Sequence, residues 1–260
     1  MHFRRAAVAV MMSGLLATVA ACGSTSDTTR ASGAAGGGAA AVAVLTKDNL
    51  AGEIRAALAA AGSAHVAVTV ESQGQSLQLA GDVAHLDKQT APEIAFTADA
   101  GGQQFQMRVV DQVLYVSGGP LTGAQGKKWM KIDLSDPTNP LGQIFQAANP
   151  GNFAAYLEGV TRFEDKGQAT VDGVRTTHYT VTVDATAMLK SNPVFKGQDL
   201  ATLGLPDALT SEVYVDDANR PIEIKVDLAA VGAFDAHFSD YGKSVTIVAP
   251  PKDQVGQFTF

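Results

Sequence analysis

The chain carries five histidines, a single cysteine and 26 acidic side chains in 260 residues, and chemistry would require some of them to stand at working distances along the sequence. No Gly-x-Ser-x-Gly elbow offers a nucleophilic serine, no glycine-rich loop is built to cradle phosphate, and no His-Glu-x-x-His pair or Cys/His cluster has metal-ligand spacing. The expectation is a chain with no catalytic residue, no metal and no cofactor. His178 falls in mid-strand on the face shared with Val174, Thr176, Thr180 and Thr182, where a hydrogen-bonded packing histidine is expected. His65 and His237 fall on the polar faces of their strands and His85 in a loop, so all three are expected at the surface. Asp216 and Asp217, with Asp133 and Asp136, invite a calcium reading, but their spacing is not that of an EF-hand loop. The run Asp216-Asp217-Ala218-Asn219 has turn chemistry instead, which predicts solvated carboxylates. Trp129, among Lys127, Lys128 and Lys131, is either a contact for a lipid head group or a tryptophan held at a sheet edge.

Cys22 has the most specific context. Arg4 and Arg5 are followed by the uncharged run Ala6 to Ala21, apolar enough to enter a translocon but short for a stable span, which reads as a signal peptide. It ends in Val19-Ala20-Ala21-Cys22, which resembles the lipobox of bacterial lipoproteins. An exported protein normally uses cysteines in disulfide pairs, and a diacylglycerol thioether at Cys22 accounts for a lone one. With two or three acyl chains (palmitate or similar) such an anchor is stable, where one chain is not. Residues 1–21 are thus read as the signal and Cys22 as the lipid anchor to the membrane, placing the mature protein on the outer face of the cell membrane.

Residues 22–45 are Gly, Ala, Ser and Thr with almost no charge, a composition that behaves as a flexible tether reaching roughly 20 to 30 Å. Residues 46–260 suit one domain with a sizeable core. Without the signal the chain has 19 − 2 = 17 basic against 26 acidic residues, a net charge of −9, which argues against a nucleic-acid partner.

Within the domain, Thr46 is a plausible N-cap for a helix with Leu50, Ile54, Ala57, Leu58 and Ala61 on one face, ending before Gly62. The period then changes from helical to two. Val66, Val68 and Val70, then Leu77, Leu79 and Val83, then Ile94, Phe96 and Ala98, then Phe105, Met107 and Val109 alternate with polar residues, with turns between them. Residues 112–117 and 128–134 add two strands to this antiparallel meander. From Pro137 to Gly159 the pattern turns helical, and strands return at 160–166, 168–171, 174–184, 209–216, 220–228 and 234–241, with a short helix expected at 185–191. The sum is about ten strands and three or four helices.

A long antiparallel sheet that is apolar on one face only must cover that face, and the helices are the available cover. The fold class is α+β: a curved antiparallel sheet, a half-barrel, with helices packed on its concave face. Incomplete filling of the space between sheet and helices would leave an apolar cavity suited to an acyl chain. Normal packing would leave a dry core and a domain that acts through its surface, as a sensor or accessory of a membrane complex. The residues expected to line a cavity are Val68, Leu79, Phe96 and Phe105 from the early strands, with Met107 and Leu114, where Val113 and Tyr115 compete with Leu114 for the inward face. Ile224, Val226 and Phe238 follow from the late strands, and Ile144, Phe145, Phe153 and Leu157 from the helical segment as a lid. A one-residue slip in register would exchange the two faces.

Four segments in order, Lys128-Trp129-Met130-Lys131-Ile132, Val171 to Tyr179, Val213 to Ile222 and Asp240 to Ile247, resemble the actinobacterial lipoproteins of the LppX/LprG type, whose fold is similar to that of the LolA and LolB lipoprotein carriers. The resemblance implies a half-barrel that holds lipid or glycolipid acyl chains for transport or sensing in the cell envelope, a possible membrane transporter as partner, and no enzymatic activity. It implies no residue-specific binding motif, because the ligand is held by a diffuse apolar lining.

Overall fold

In the computed structural model, residues 42–72, 74–88, 92–119, 126–135, 157–186, 206–229 and 232–257 are described, and residues 41–260 form a compact unit. The helix α1 (Leu50–Ala61) starts later than the Thr46 cap would place it. Asn49 is the reason: its side chain accepts from the Thr46 N–H at 2.7 Å and donates to the Val44 carbonyl at 2.9 Å, which holds the preceding turn outside the helix. Gly62, at φ 73°, ends the helix with its N–H on the Leu58 carbonyl, a left-handed cap that glycine adopts without a Cβ penalty.

Among the described residues, twelve strands form one sheet. The first six are β1 (Ser63–Ser72), β2 (Gln75–Ala84), β3 (Glu93–Ala100), β4 (Gln103–Val110), β5 (Val113–Gly118) and β6 (Trp129–Asp133). Then follow β7 (Val160–Val171), β8 (Val174–Asp184), β9 (Ala208–Val215), β10 (Pro221–Asp227), β11 (Ala233–Ser239) and β12 (Val255–Gln257). Their spatial order is β12-β6-β5-β4-β3-β2-β1-β11-β10-β9-β8-β7. Two meanders, β1 to β6 and β7 to β11, are therefore joined by the antiparallel pair β1–β11, and the result is an open, curved sheet with β7 at one edge.

Two features differ from the sequence expectation. The stretches 160–166 and 168–171 are one strand, because Gly167 (φ 90°) sits in a bulge between Asp165 and Gly167 that keeps the pairing with β8. The short β12 runs parallel to β6, as Val255↔Trp129 to Gln257↔Lys131. A three-residue strand carries no periodicity to read. Of the expected helices, residues 137–156 and 187–191 lie outside the described residues, Leu157–Gly159 is a 3-10 turn, and Ala185 and Thr186 are helical.

Candidate functional site

Strand alternation sorts the sheet into two faces, and the register orders the apolar one into rows. Ala64, Val83, Ile94, Val109, Leu114 and Ile132 stand side by side across β1 to β6. All six are buried, in one cluster with Leu50, Ile54 and Leu58 of α1. The helix presents these three residues because they recur at helical spacing. One row further from α1 come Val66, Gly81, Phe96, Met107 and Val116, and then Val68, Leu79, Ala98 and Phe105. Burial falls along this direction. Val66 and Ala98 stay buried, but the larger Phe96, Met107, Val116, Leu79 and Phe105, with Val68, are only partly so, and Leu77, one row beyond, is 37% exposed. Large apolar side chains left partly in water cost free energy in proportion to their exposed area, so further cover over the far rows would be favourable.

All nine strand residues expected on the inner side share this face: Val68, Leu79, Phe96, Phe105, Met107, Leu114, Ile224, Val226 and Phe238. Leu114 is 5% exposed and lies in the core cluster, while Val113 and Tyr115 take the other face. Ile224 is 1% exposed and belongs to the packed core, whereas Val226 and Phe238 are half-buried against it. Leu157 is also in the core, at 1% exposure, near α1. Ile144, Phe145, Phe153 and Cys22 lie outside the described residues. The expectation missed Phe163 of β7, which packs on the cluster and stacks on Tyr179 at 4.8 Å between ring centroids. Its signal was present in the alternation of β7 before the bulge, but the charged neighbours on that strand masked it.

The opposite face is polar and carries a row of paired charges across β8 to β11. His178 is the hydrogen-bonded packing histidine expected: its Nε2 pairs with Glu212, whose carboxylate also accepts from Thr180 at 2.9 Å, and its ring stacks on Tyr214 at 4.2 Å. Glu223, buried at the centre, accepts from Lys225 Nζ at 2.6 Å. That hydrogen bond, outweighing desolvation, raises the Lys225 ammonium above its ordinary pKa, and burial followed by the nearby Glu223 charge raises the Tyr214 phenol. His65 and His237 lie on the polar face with side chains 38% exposed, and each ring bonds a carboxylate there: His65 pairs with Asp82 at 2.8 Å and His237 with Asp172 at 2.8 Å.

Two turn and edge expectations also change. Asp217 is solvated and pairs with Arg175, but Asp216 is buried, because it accepts from the backbone N–H groups of Ala218 and Arg220 and from Arg220 Nε. Trp129 is 3% exposed and lies under the Arg108 guanidinium, 5.0 Å from its ring centroid, so it is no head-group contact. Among the described residues no helix is long and apolar enough to cross a membrane.

Comparison with known proteins adds to this geometry. The chain matches the LppX_LprAFG lipoprotein family over residues 47–247. Its fold is similar to that of LprF from Mycobacterium bovis, at 19% identity and a TM-score of 0.54, covering 78% of this chain and 96% of that one. It is likewise similar to the lipoprotein LppX from Mycobacterium tuberculosis, at 20% identity and a TM-score of 0.51, covering 78% of this chain and all of that one. A search of curated protein sequences gives no significant match. The four ordered segments, the double meander with its apolar face, and a match that runs from α1 through β11 place the chain in one family: it belongs to the LppX_LprAFG lipoproteins.

Proposed function

We propose that the mature protein is held at the outer face of the cell membrane by acyl chains on Cys22, and that its domain takes the acyl chains of a lipid or glycolipid against the far rows of its apolar face, for carriage or sensing. The observation that carries this reading is the graded burial of that face. Its α1 end is closed by Leu50, Ile54 and Leu58, while Phe96, Phe105, Met107 and Val68 remain half-buried. The helical segment expected at 137–159, with Ile144, Phe145 and Phe153, is the proposed lid over the concave side. A chain of about sixteen carbons gains about 0.8 kcal/mol per buried CH₂, on the order of 10 kcal/mol in all, which is sufficient to hold a lipid without a specific polar contact. Membership in a lipoprotein family agrees with the anchor. No bond is made or broken in this function, so it requires no catalytic group, and a membrane transporter is the expected type of protein partner.

Native mass spectrometry of a soluble version beginning at Ala41, expressed in an actinobacterial host, tests the reading. An acyl lipid at fixed stoichiometry, lost on organic extraction, is the expected result. A clean apo mass would instead favour the filled domain that acts through its surface as an accessory or sensor.

A further inference from the structure

On the polar face, three side chains from neighbouring strands converge in a way the lipid function does not use. Glu223 of β10 stands opposite His237 of β11, and Asp235 lies two residues before His237 on the same face. His237 Nε2 is 3.2 Å from Glu223 Oε1 and 3.4 Å from Asp235 Oδ1. Ligand atoms of the three residues all lie within 4.8 Å of one another. On its other side the ring is held by Asp172, from the turn between β7 and β8, with Nδ1 2.8 Å from Oδ2. The β7–β8 hairpin must curl past β9 and β10 to deliver this carboxylate, and Asp172 (φ 50°) and Gly173 (φ 79°) form the two-residue turn that places it.

The two ring nitrogens of His237 face carboxylates on opposite sides: Nδ1 lies against Asp172 Oδ2, and Nε2 lies against the oxygens of Glu223 and Asp235. Asp235 Oδ1 is sealed from solvent and accepts no hydrogen bond, so a buried acceptor is left without a partner at the point where the three side chains meet. Three carboxylates, Asp172, Glu223 and Asp235, surround the ring, and Lys225 pairs with only one of them, so acidic groups dominate the cluster.

We infer that Glu223, Asp235 and His237 bind a divalent transition ion of the zinc type, with Asp172 as the carboxylate that fixes the ligating tautomer. One imidazole and two carboxylates are ordinary zinc donors, and a second carboxylate on the far ring nitrogen is the usual way a metal-bound histidine is oriented. The His237 side chain is 38% exposed, so water would reach the ion from that side and complete its coordination. Such an ion ties β10, β11 and the β7–β8 turn together on the face opposite the apolar rows.

The test is zinc titration of the full mature chain in detergent against a chromophoric chelator. One equivalent bound at micromolar or lower Kd is expected, with at least tenfold weakening in Asp235→Asn and 10–100-fold in Asp172→Asn, the range for loss of an orienting carboxylate. Circular dichroism checks that both variants fold, and if Asp235→Asn does not, Asp172→Asn alone decides, because its residue is exposed and ligates nothing. Absence of stoichiometric binding at 100 µM zinc, or binding that both folded variants retain unchanged, overturns the inference.

Discussion

Phe238 of β11 stands directly opposite Val66 of β1, and this pair is part of the seam where the second meander, β7 to β11, closes onto the first. Every other neighbouring pair in the two meanders joins strands consecutive in sequence, and tight turns such as Asp172-Gly173 fix the register of several of them. The seam has no turn. It is set by seven matched residues from His65↔Ser239 to Glu71↔Ala233, among them the apolar pairs Val66↔Phe238, Val68↔Ala236 and Val70↔Phe234. Long-range pairing of this kind must be carried by side-chain burial, because loop closure opposes it.

The seam predicts a contrast in stability. Ile224 (1% exposed) faces Ala236 beside it, and Ile224→Ala should cost about 2–5 kcal/mol in urea unfolding, the usual range for a large-to-small change in a filled core. Leu77, 37% exposed at the open end of the same face, should change stability by less than about 1 kcal/mol when changed to Ala. Equal losses at the two positions would mean that the graded burial of the face is wrong.

Phe105 lies between these extremes, half-buried in the row of Val68 and Leu79. Phe105→Asp should leave the fold intact by circular dichroism yet reduce co-purified lipid at least tenfold, since a carboxylate on an acyl-contacting surface must be desolvated. Phe238→Asp should do the same, at a larger cost in stability because of the seam. Folded variants that load lipid normally would remove these side chains from the proposed site.

The extent to which this was legible follows from period and distance. Alternation in β1 to β4 was enough to place Val68, Leu79, Phe96 and Met107 on one face, because a period of two survives any error in strand ends as long as the register holds. It held at Leu114 too, despite apolar neighbours on both sides. Sequence could not supply the graded burial, which depends on how far α1 reaches along the face. Nor could it supply the grouping of Glu223, Asp172 and His237, which come from two strands and a distant turn; only Asp235-x-His237 was written in the local spacing. Asp216 was misjudged for a related reason: a turn carboxylate reads as solvated until Arg220 folds back over it.

Gly81 supplies a test of close packing. It stands between Val66 and Phe96 on the apolar face, and a Cβ there would lie 2.0 Å from the Ala95 carbonyl oxygen and 2.6 Å from the Phe96 ring. Gly81→Ala, which strand propensity alone would favour, should instead destabilise by about 1–3 kcal/mol, because the obstruction includes backbone. A neutral or stabilising result would show that β2 and β3 can separate there.

Stability should also fall in alkali. Tyr241 is pushed well above its ordinary pKa by burial, with the Asp216 charge adding to it, and its hydroxyl donates to the Pro221 carbonyl. Tyr179 and Tyr214 are raised chiefly by burial, and Lys225 by its bond to Glu223. Each folded group keeps its proton to a higher pH than in the unfolded chain, so its contribution is complete below pH about 10 and is lost as pH rises beyond that. Urea midpoints should be flat near neutrality and drop above pH about 10, and Tyr241→Phe should start lower but drop less. An unchanged slope in that variant would assign the alkaline loss to other groups.

β12 covers the edge of the sheet at β6. Trp129 is the only tryptophan of the chain and begins β6; Val255 pairs with it, and the Arg108 guanidinium above its ring donates to the Val248 carbonyl at 3.1 Å. Lys127 adds a bond from Nζ to the Asp253 carbonyl at 2.8 Å. The C-terminal segment is thus fastened by side chains of β4 and of the stretch before β6 as well as by the ladder, which explains how a three-residue strand stays paired. Deleting residues 251–260 removes the ladder and the Lys127 contact together and leaves β6 as a bare edge. Fluorescence should shift to the red as Trp129 meets water, while the apolar rows and any bound lipid are retained, because they lie on the other face. Loss of lipid with no spectral shift would mean that β12 braces the apolar face instead.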